Sequence, residues 1–309
     1  MLKVTIGIPA YNEEDNIRFI LDSSLNQKET DSFKISEVIV VSDGSVDATP
    51  DIVNEYCKVN SKVKLFHHNS RRGKGYALNV IFSKGSGDIF VLFDADVIPK
   101  DEWVVRGLVE PFISDGSVGL VGGLPVPLPP ESIVEMAGVF SYRLQRFIKE
   151  SIRGGCNLYA AHGRVLALSS SLAKVITVPS MPAVDAFLYL KCISMGYKFV
   201  YVGERAVVFY RAPRDVKGYV SQSARFKRAR EPLRKIFGSV VDEEVKVSRR
   251  ILLEAYVKSL MEDPRGGLLW TLLYSYATLT ASRMDVSGRW LIVEKSKALY
   301  TKERARSKP

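Results

Sequence analysis

The run Asp88-Ile-Phe-Val-Leu-Phe93 has no polar residue after its first position and ends directly on Asp94-Ala95-Asp96. An uninterrupted apolar run of this length is a strand buried on both faces. Such strands sit at the centre of sheets whose two faces are covered by helices. The segments around it fit that architecture. Residues 4–9, 37–42, 63–66 and 118–121 are short apolar strands, and helical patterns over 13–25, 47–59, 75–83 and 101–113 separate them. In the first of these helices Ile17, Ile20, Leu21 and Leu25 share one face. Strand and helix in strict alternation specify an α/β fold with a mostly parallel sheet flanked by helices.

The pattern changes beyond residue 123. Residues 124–130 read as a proline-rich connector without regular structure. Residues 133–152 form a long helix, 157–169 look strand-like, and 184–195 form a helix closed by Gly196. Strands follow at 198–202 and 206–210, and from Asp215 onward the chain is largely helical. We therefore divide it into an α/β domain at 1–212, with halves at 1–123 and 124–212, and a helical, basic region at 213–309.

The bulk properties narrow the function classes. With 309 residues, 46% of them hydrophobic and 25% charged, the chain can bury a sizeable core and is not of the disordered type. Cys57, Cys156 and Cys192 are odd in number and lack zinc or redox spacing, so they read as apolar residues in a reducing, cytoplasmic compartment. The net charge of +10 suits phosphate-bearing substrates, anionic lipid or nucleic acid. Part of it is concentrated at 211–235. The opening residues lack the pattern of a signal peptide, and no segment reaches the ~18 apolar residues of a spanning helix. The nearest, 268–281, reads as a buried helix or as one lying in a membrane interface.

Four signals stand where strands end, which is where open α/β sheets bind ligands. Pro9-Ala-Tyr-Asn-Glu13 ends the first strand, and Asn12 can cap the next helix. This loop serves equally as a nucleobase grip or a plain turn. Asp43, in Ser42-Asp-Gly-Ser-Val-Asp47, is a carboxylate at the mouth of a buried strand. It needs either a ligand such as a ribose hydroxyl or an Asx-turn of its own. Arg71-Arg-Gly-Lys-Gly75 brings three cations and backbone N–H groups to a helix N-terminus, an arrangement suited to a pyrophosphate. Asp94 and Asp96 form the strongest signal. Two carboxylates this close resist joint ionisation unless a cation separates them, and hard oxygen ligands beside a diphosphate select Mg²⁺ or Mn²⁺.

Taken in order, Pro9-Ala-Tyr-Asn-Glu13, Asp43-Gly-Ser-Val-Asp47, Arg71-Arg-Gly-Lys-Gly-Tyr-Ala-Leu-Asn79 and Asp94-Ala-Asp-Val-Ile-Pro99 resemble the family-2 glycosyltransferases of the GT-A fold over about the first third of the chain. The resemblance implies that Pro9, Tyr11, Glu13, Asp43, Arg71 and Lys74 hold the nucleoside end of a nucleoside-diphosphate sugar. It also implies that Asp94 touches the ribose or the cation and that Asp96 binds the cation. The family expects an acidic base at the head of a helix in the second half. Its usual Glu-Asp pair is Val184-Asp185 here, which makes Asp185 the base of an inverting transfer. Processive members carry Gln-x-x-Arg-Trp near acceptor and diphosphate. This chain has Gln222-Ser-Ala-Arg225-Phe226, with Phe in place of Trp. His162 lies in the acceptor-facing segment, and the histidine that many members place after the strand ending at Tyr210 is missing.

The expected activity is thus inverting, metal-dependent transfer from a UDP-sugar, or a GDP-sugar, to a hydroxyl on a glycan or lipid-linked acceptor. The basic second half and residues 268–281 fit peripheral association at the cytoplasmic face of a membrane. Two other readings are a sugar nucleotidyltransferase and a basic module for membrane surfaces or nucleic acid. The first usually opens with a Gly-rich loop after strand one, where this chain has Pro9 to Glu13. The second leaves the four aspartates unexplained, and nucleic acid is not an expected partner.

Overall fold

The computed structural model of the chain describes residues 1–280 and Leu299, and of residues 225–227 the backbone alone. Its elements are β1 (Leu2–Ala10), α1 (Ile17–Leu25), β2 (Phe33–Asp43), α2 (Thr49–Val59), β3 (Val63–His68), α3 (Lys74–Lys84), β4 (Ile89–Phe93), β5 (Val97–Pro99), α4 (Val104–Ser114), β6 (Val118–Pro127), α5 (Ile133–Ser151), β7 (Val165–Ser169), α6 (Ser170–Ala173), α7 (Val184–Ser194) and β8 (Lys198–Tyr210). Among the described residues these are followed by α8 (Val216–Arg228), α9 (Arg230–Phe237), α10 (Val240–Glu244), α11 (Arg249–Glu262) and α12 (Pro264–Thr280).

Among the described residues the strands form one sheet in the order β3-β2-β1-β4-β7-β6-β8-β5. β3, β2, β1 and β4 run parallel. From β1 the chain winds outward to β3 and then returns to place β4 on the other side. The carboxyl ends of β1 and β4 therefore flank a switch point where chain connections diverge and leave a crevice. β4 is central, as its uninterrupted apolar composition requires, and all five of its residues are buried. Two cores cover the sheet. One packs Ile17, Ile20 and Leu21 of α1, Val53 of α2 and Val105 and Leu108 of α4 against one face. The other packs Leu78 and Ile81 of α3 and Phe187, Leu188 and Leu190 of α7 against the opposite face. Each such side chain contributes ~1.5–3 kcal/mol on leaving water.

The structure departs from the sequence reading in several places. Residues 124–127 are not a connector but the second half of β6, paired with β8 from Leu124↔Val207 to Pro127↔Tyr210. Pro125 and Pro127 are tolerated because the β6–β7 pairing covers only Leu120 to Gly122. Beyond it no strand among the described residues pairs with that edge of β6. Alternate residues direct their nitrogens to the same edge, so neither proline removes a needed donor. The strand-like stretch 157–169 is a strand only from Val165. Asn157, fully buried, instead accepts from the Tyr159 N–H at 3.0 Å and donates to the Lys149 and Ile152 carbonyls at 2.7 Å each, which holds Leu158–Ala160 in a helical turn. The two strands at 198–202 and 206–210 are one strand, β8, bent at Gly203 where φ is +54°. The first helix begins only at Ile17, and Asn12 does not cap it. Asn12 has φ +50° and its Oδ1 accepts from the Val46 N–H at 2.9 Å.

One buried carboxylate ties the parallel half together. Glu37, on β2 and 2% exposed, accepts from Thr5 Oγ1 at 2.8 Å, from the Ser86 N–H at 2.6 Å and from Ser86 Oγ at 2.9 Å, and pairs with Lys64 Nζ at 2.6 Å. Burial alone pushes its pKa upward. The Lys64 ammonium and the Ser86 and Thr5 donors outweigh that and bring it down from 4.5 to about 2. A depressed folded-state pKa stabilises the fold above the unfolded pKa, and that contribution is lost as pH falls from about 4.5 toward 2. We expect Glu37→Gln to lose about 2–3 kcal/mol at pH 7, after discounting for the half-exposed Lys64, and to match the wild type near pH 2. Urea midpoints across this range measure the difference. A constant difference at all pH values would show that Glu37 contributes by packing and not by charge.

Candidate active site

The loops after β1 and β2 are stitched into one surface. The Asn12 N–H donates to Ser45 Oγ at 3.1 Å, the Glu13 N–H to Thr49 Oγ1 at 2.8 Å, and the Ala48 N–H to Glu14 Oε2 at 2.9 Å. Glu13 is buried and accepts from Asn16 Nδ2 at 2.8 Å. Pro9 is buried at the end of β1, opposite Val41. Tyr11 follows, with the Arg71 guanidinium 4.1 Å above its ring.

Asp43 does not form an Asx-turn with its own loop. Its two oxygens accept the backbone N–H groups of Arg72 at 2.9 Å and Gly73 at 2.6 Å. The carboxylate thereby anchors the basic loop at the N-terminus of α3, where the helix dipole favours negative charge. Gly44 makes this possible. Its φ is +76°, and a Cβ would lie 2.6 Å from the Arg71 nitrogen, so only glycine lets the two loops touch.

Lys74 leaves the group formed by Tyr11, Asp43 and Arg71. Its side chain crosses the crevice, where its ammonium pairs with Asp94 Oδ1 and donates to the Gly163 carbonyl at 2.9 Å. Gly163 in turn donates its N–H to Asp185 Oδ2 at 3.1 Å, while Asp185 Oδ1 accepts the Ala186 N–H at 2.9 Å. Asp94, Lys74, Gly163 and Asp185 thus form a continuous chain of polar contacts. The topology brings them together. β7 runs antiparallel to β4 with Val165 opposite Phe93, so the residues leading into β7 lie beside those leaving β4. Asp185 arrives on the first turn of α7.

Asp94 is pushed upward in pKa, mainly by burial and further by the Asp96 charge, with Lys74 and Arg164 opposing. Asp96 occupies the turn between β4 and β5. Next to it, Val97 of β5 pairs with Tyr210 of β8. Arg164 lies with its guanidinium 3.8 Å over the Tyr210 ring and one nitrogen 3.1 Å from His162 Nε2. Its Nε is buried without a hydrogen-bond partner. Sequence reasoning missed Gly163, Arg164 and Tyr210. Each touches the site only because two antiparallel pairings, β4 with β7 and β5 with β8, put it there.

Gln222 lies half-buried on α8, and among the described residues no hydrogen bond or ion pair links it to Asp94, Asp96 or Asp185. Arg225 and Phe226 share that helix, and their side chains lie outside the described residues. No group of three His, Cys, Asp or Glu side chains among the described residues could hold a metal ion. Two carboxylates at a diphosphate site are nonetheless a sufficient protein contribution for Mg²⁺ or Mn²⁺, which commonly takes its remaining ligands from phosphate oxygens and water.

The chain matches the model of glycosyl transferase family 2 over residues 5–166. It is 37% identical over 124 residues to a probable glycosyltransferase, YdaM, of Bacillus subtilis, an alignment covering 39% of this chain and 29% of that protein. The matched part is thus under a third of that relative's length. In structure it resembles the mannosyltransferase PcManGT of Pyrobaculum calidifontis, solved with GDP-Man and Mn²⁺, with a TM-score of 0.58, 20% identity, and coverage of 92% of this chain and 76% of that one. It also resembles glucosyl-3-phosphoglycerate synthase of Mycobacterium tuberculosis, solved with Mn²⁺, UDP and glucosyl-3-phosphoglycerate, with a TM-score of 0.51, 22% identity, and coverage of 77% and 80%. Both likenesses establish the GT-A fold.

Proposed function

The chain belongs to glycosyl transferase family 2, and from that premise we propose that it is an inverting, cation-assisted glycosyltransferase. It takes a sugar from a nucleoside diphosphate to a hydroxyl of a glycan or lipid-linked acceptor. The observation that carries the reading is the polar chain from Asp94 through Lys74 and Gly163 to Asp185. It spans the crevice from the candidate cation carboxylates to the candidate base.

In this reading the α/β part, 1–212, binds donor and base, and 213–309 is the appended helical region. Pro9, Tyr11, Glu13, Asp43 and Arg71 shape the nucleoside pocket. Asp94 and Asp96 hold Mg²⁺ or Mn²⁺, which when bound neutralises charge on the diphosphate leaving group. Lys74 and Arg164 add fixed positive charge beside the same diphosphate. Arg164 can do so because stacking on Tyr210 holds its guanidinium in place.

Two backbone N–H groups orient the Asp185 carboxylate, which takes the proton of the acceptor hydroxyl. The acceptor oxygen forms its bond to the anomeric carbon as the bond from that carbon to the diphosphate oxygen breaks. The electron pair departs with the nucleoside diphosphate, and the anomeric centre inverts. His162, bonded to Arg164, is placed in this reading on the acceptor side. A UDP-sugar is the preferred donor and a GDP-sugar the alternative.

Calorimetric titration of the full chain with UDP- and GDP-sugars tests the reading. Micromolar binding in Mn²⁺ should weaken at least about 30-fold in chelator, and Arg164→Met should weaken it about tenfold in Mn²⁺, as expected for one charge-assisted phosphate contact. Failure of every sugar nucleotide to bind the folded protein would refute the assignment.

A further inference from the structure

α11 and α12, the last two helices among the described residues, present an apolar surface that the transferase reading does not use. α11 and α12 pack on α5, and α12 also on α8; Ala255 and Ser259 on one helix and Gly266, Gly267 and Ala277 on the other are buried, with Ala277 against Tyr219 and Val220 of α8. Phe140 of α5 meets Tyr256 and Trp270 at ring distances of 6.1 and 5.6 Å. The opposite sides should then be polar, and they are not. On α11, Leu253 and Met261 are 65% and 78% exposed, with Val257 between them. On α12, Leu268, Leu272 and Leu279 are 63%, 60% and 75% exposed. These positions recur at intervals of four or seven residues, so each set forms a stripe along its helix. No helix among the described residues is long and apolar enough to cross a membrane. Residues 268–280 are not the buried helix of one sequence reading, because the stripe lies in solvent.

Charge distinguishes among the partners this surface could meet. Residues 213–309 contain 21 Lys and Arg against 11 Asp and Glu, whereas residues 1–212 contain 23 of each. The entire net charge of +10 therefore belongs to the C-terminal region. Arg249, Arg250, Lys258 and Arg265 lie exposed on the same two helices as the stripes. A second copy would bring like charge against like. A nucleic acid would neutralise the charge but leave the leucines wet. A bilayer of anionic lipid answers both, with acyl chains for the stripes and headgroups for the rim.

We propose that the outer face of α11 and α12 seats this protein on an anionic membrane surface. The proposal deepens the transferase reading and rests on its lipid-linked acceptor, because seating the chain there brings the crevice to a substrate confined to the bilayer.

The test is co-sedimentation of the full chain with vesicles of phosphatidylcholine alone and of phosphatidylcholine with 30% phosphatidylglycerol (a composition of about this anionic content), for wild type and for Leu268→Ser/Leu272→Ser. Both leucines are exposed, so the double variant should keep the wild-type melting midpoint and donor affinity. The expected result is binding to the anionic vesicles that falls about 10–100-fold in the variant and at least about tenfold in 0.5 M salt, with weak binding to the neutral vesicles. A wild type that ignores anionic vesicles, or a variant that binds as well as wild type, would overturn the proposal. So would a wild-type dimer that the substitutions dissociate, which would assign the face to a second copy. Donor affinity, measured on the same samples, reports separately on the transferase reading.

Discussion

Asp185→Asn should lower kcat about 10³-fold, or ~4 kcal/mol of transition-state stabilisation, while leaving the donor dissociation constant within about threefold. The amide keeps the size of the carboxylate but cannot accept the acceptor proton. Donor binding should survive because Asp185 touches Gly163 and Ala186, not the loops after β1 and β2. The substitution also has a structural consequence. The carboxylate accepts one backbone N–H on each oxygen, and an asparagine has only one acceptor oxygen. One of the two N–H groups therefore loses its partner, at a cost of about 1 kcal/mol. A transfer assay beside calorimetry separates these effects. An unchanged kcat would remove Asp185 from the base position and leave His162 as the next group to test.

Asp96→Ala should be nearly as damaging by a different route. With one of two carboxylates gone, the cation should no longer be held, and kcat/KM should fall about 10²–10³-fold, or ~3–4 kcal/mol. The diagnostic feature is loss of cation dependence: chelator should weaken donor binding to the wild type and leave the variant unchanged. Asp94 is the less informative choice, because it is buried against Lys74. Removing it leaves an uncompensated ammonium, which costs several kcal/mol of stability and obscures any effect on the cation. If Asp96→Ala still requires Mn²⁺, the cation sits elsewhere.

Much of the fold was legible along the chain because its signals are local. Five apolar residues at 89–93 can be satisfied only by a strand covered on both sides, and the four-residue rhythm of Ile17, Leu21 and Leu25 only by a helix with one buried face. Gly196, with φ +78° just past α7, marks a helix end by conformation alone. The readings that failed depended on distant partners. Whether Pro125 and Pro127 can lie in a strand depends on which edge of β6 lacks a paired strand among the described residues, and that is set by where β7 stops pairing. Whether residues 157–160 extend depends on carbonyls of the preceding helix, which Asn157 finds only once the chain has folded back.

The candidate site divides in the same way. Asp43, Asp94 and Asp96 were visible in sequence because carboxylates at the ends of apolar strands are exceptional, Lys74 because it stands among cations and glycines at a helix N-terminus, and Asp185 only through the family resemblance, since acidic residues are common at the heads of helices. The sequence alone determined which chemical groups are available and that they stand at the carboxyl ends of strands. Tertiary structure alone decided their company. It set Lys74 on Asp94, used Asp43 to hold the basic loop, and inserted β7 antiparallel between β4 and β6 so that Gly163 joins the two halves of the crevice. It also laid Arg164 on Tyr210. The physical reason is that hydrogen bonds and ion pairs act over about 3 Å, and residues 20 to 90 positions apart come within that range only after the sheet has settled its strand order.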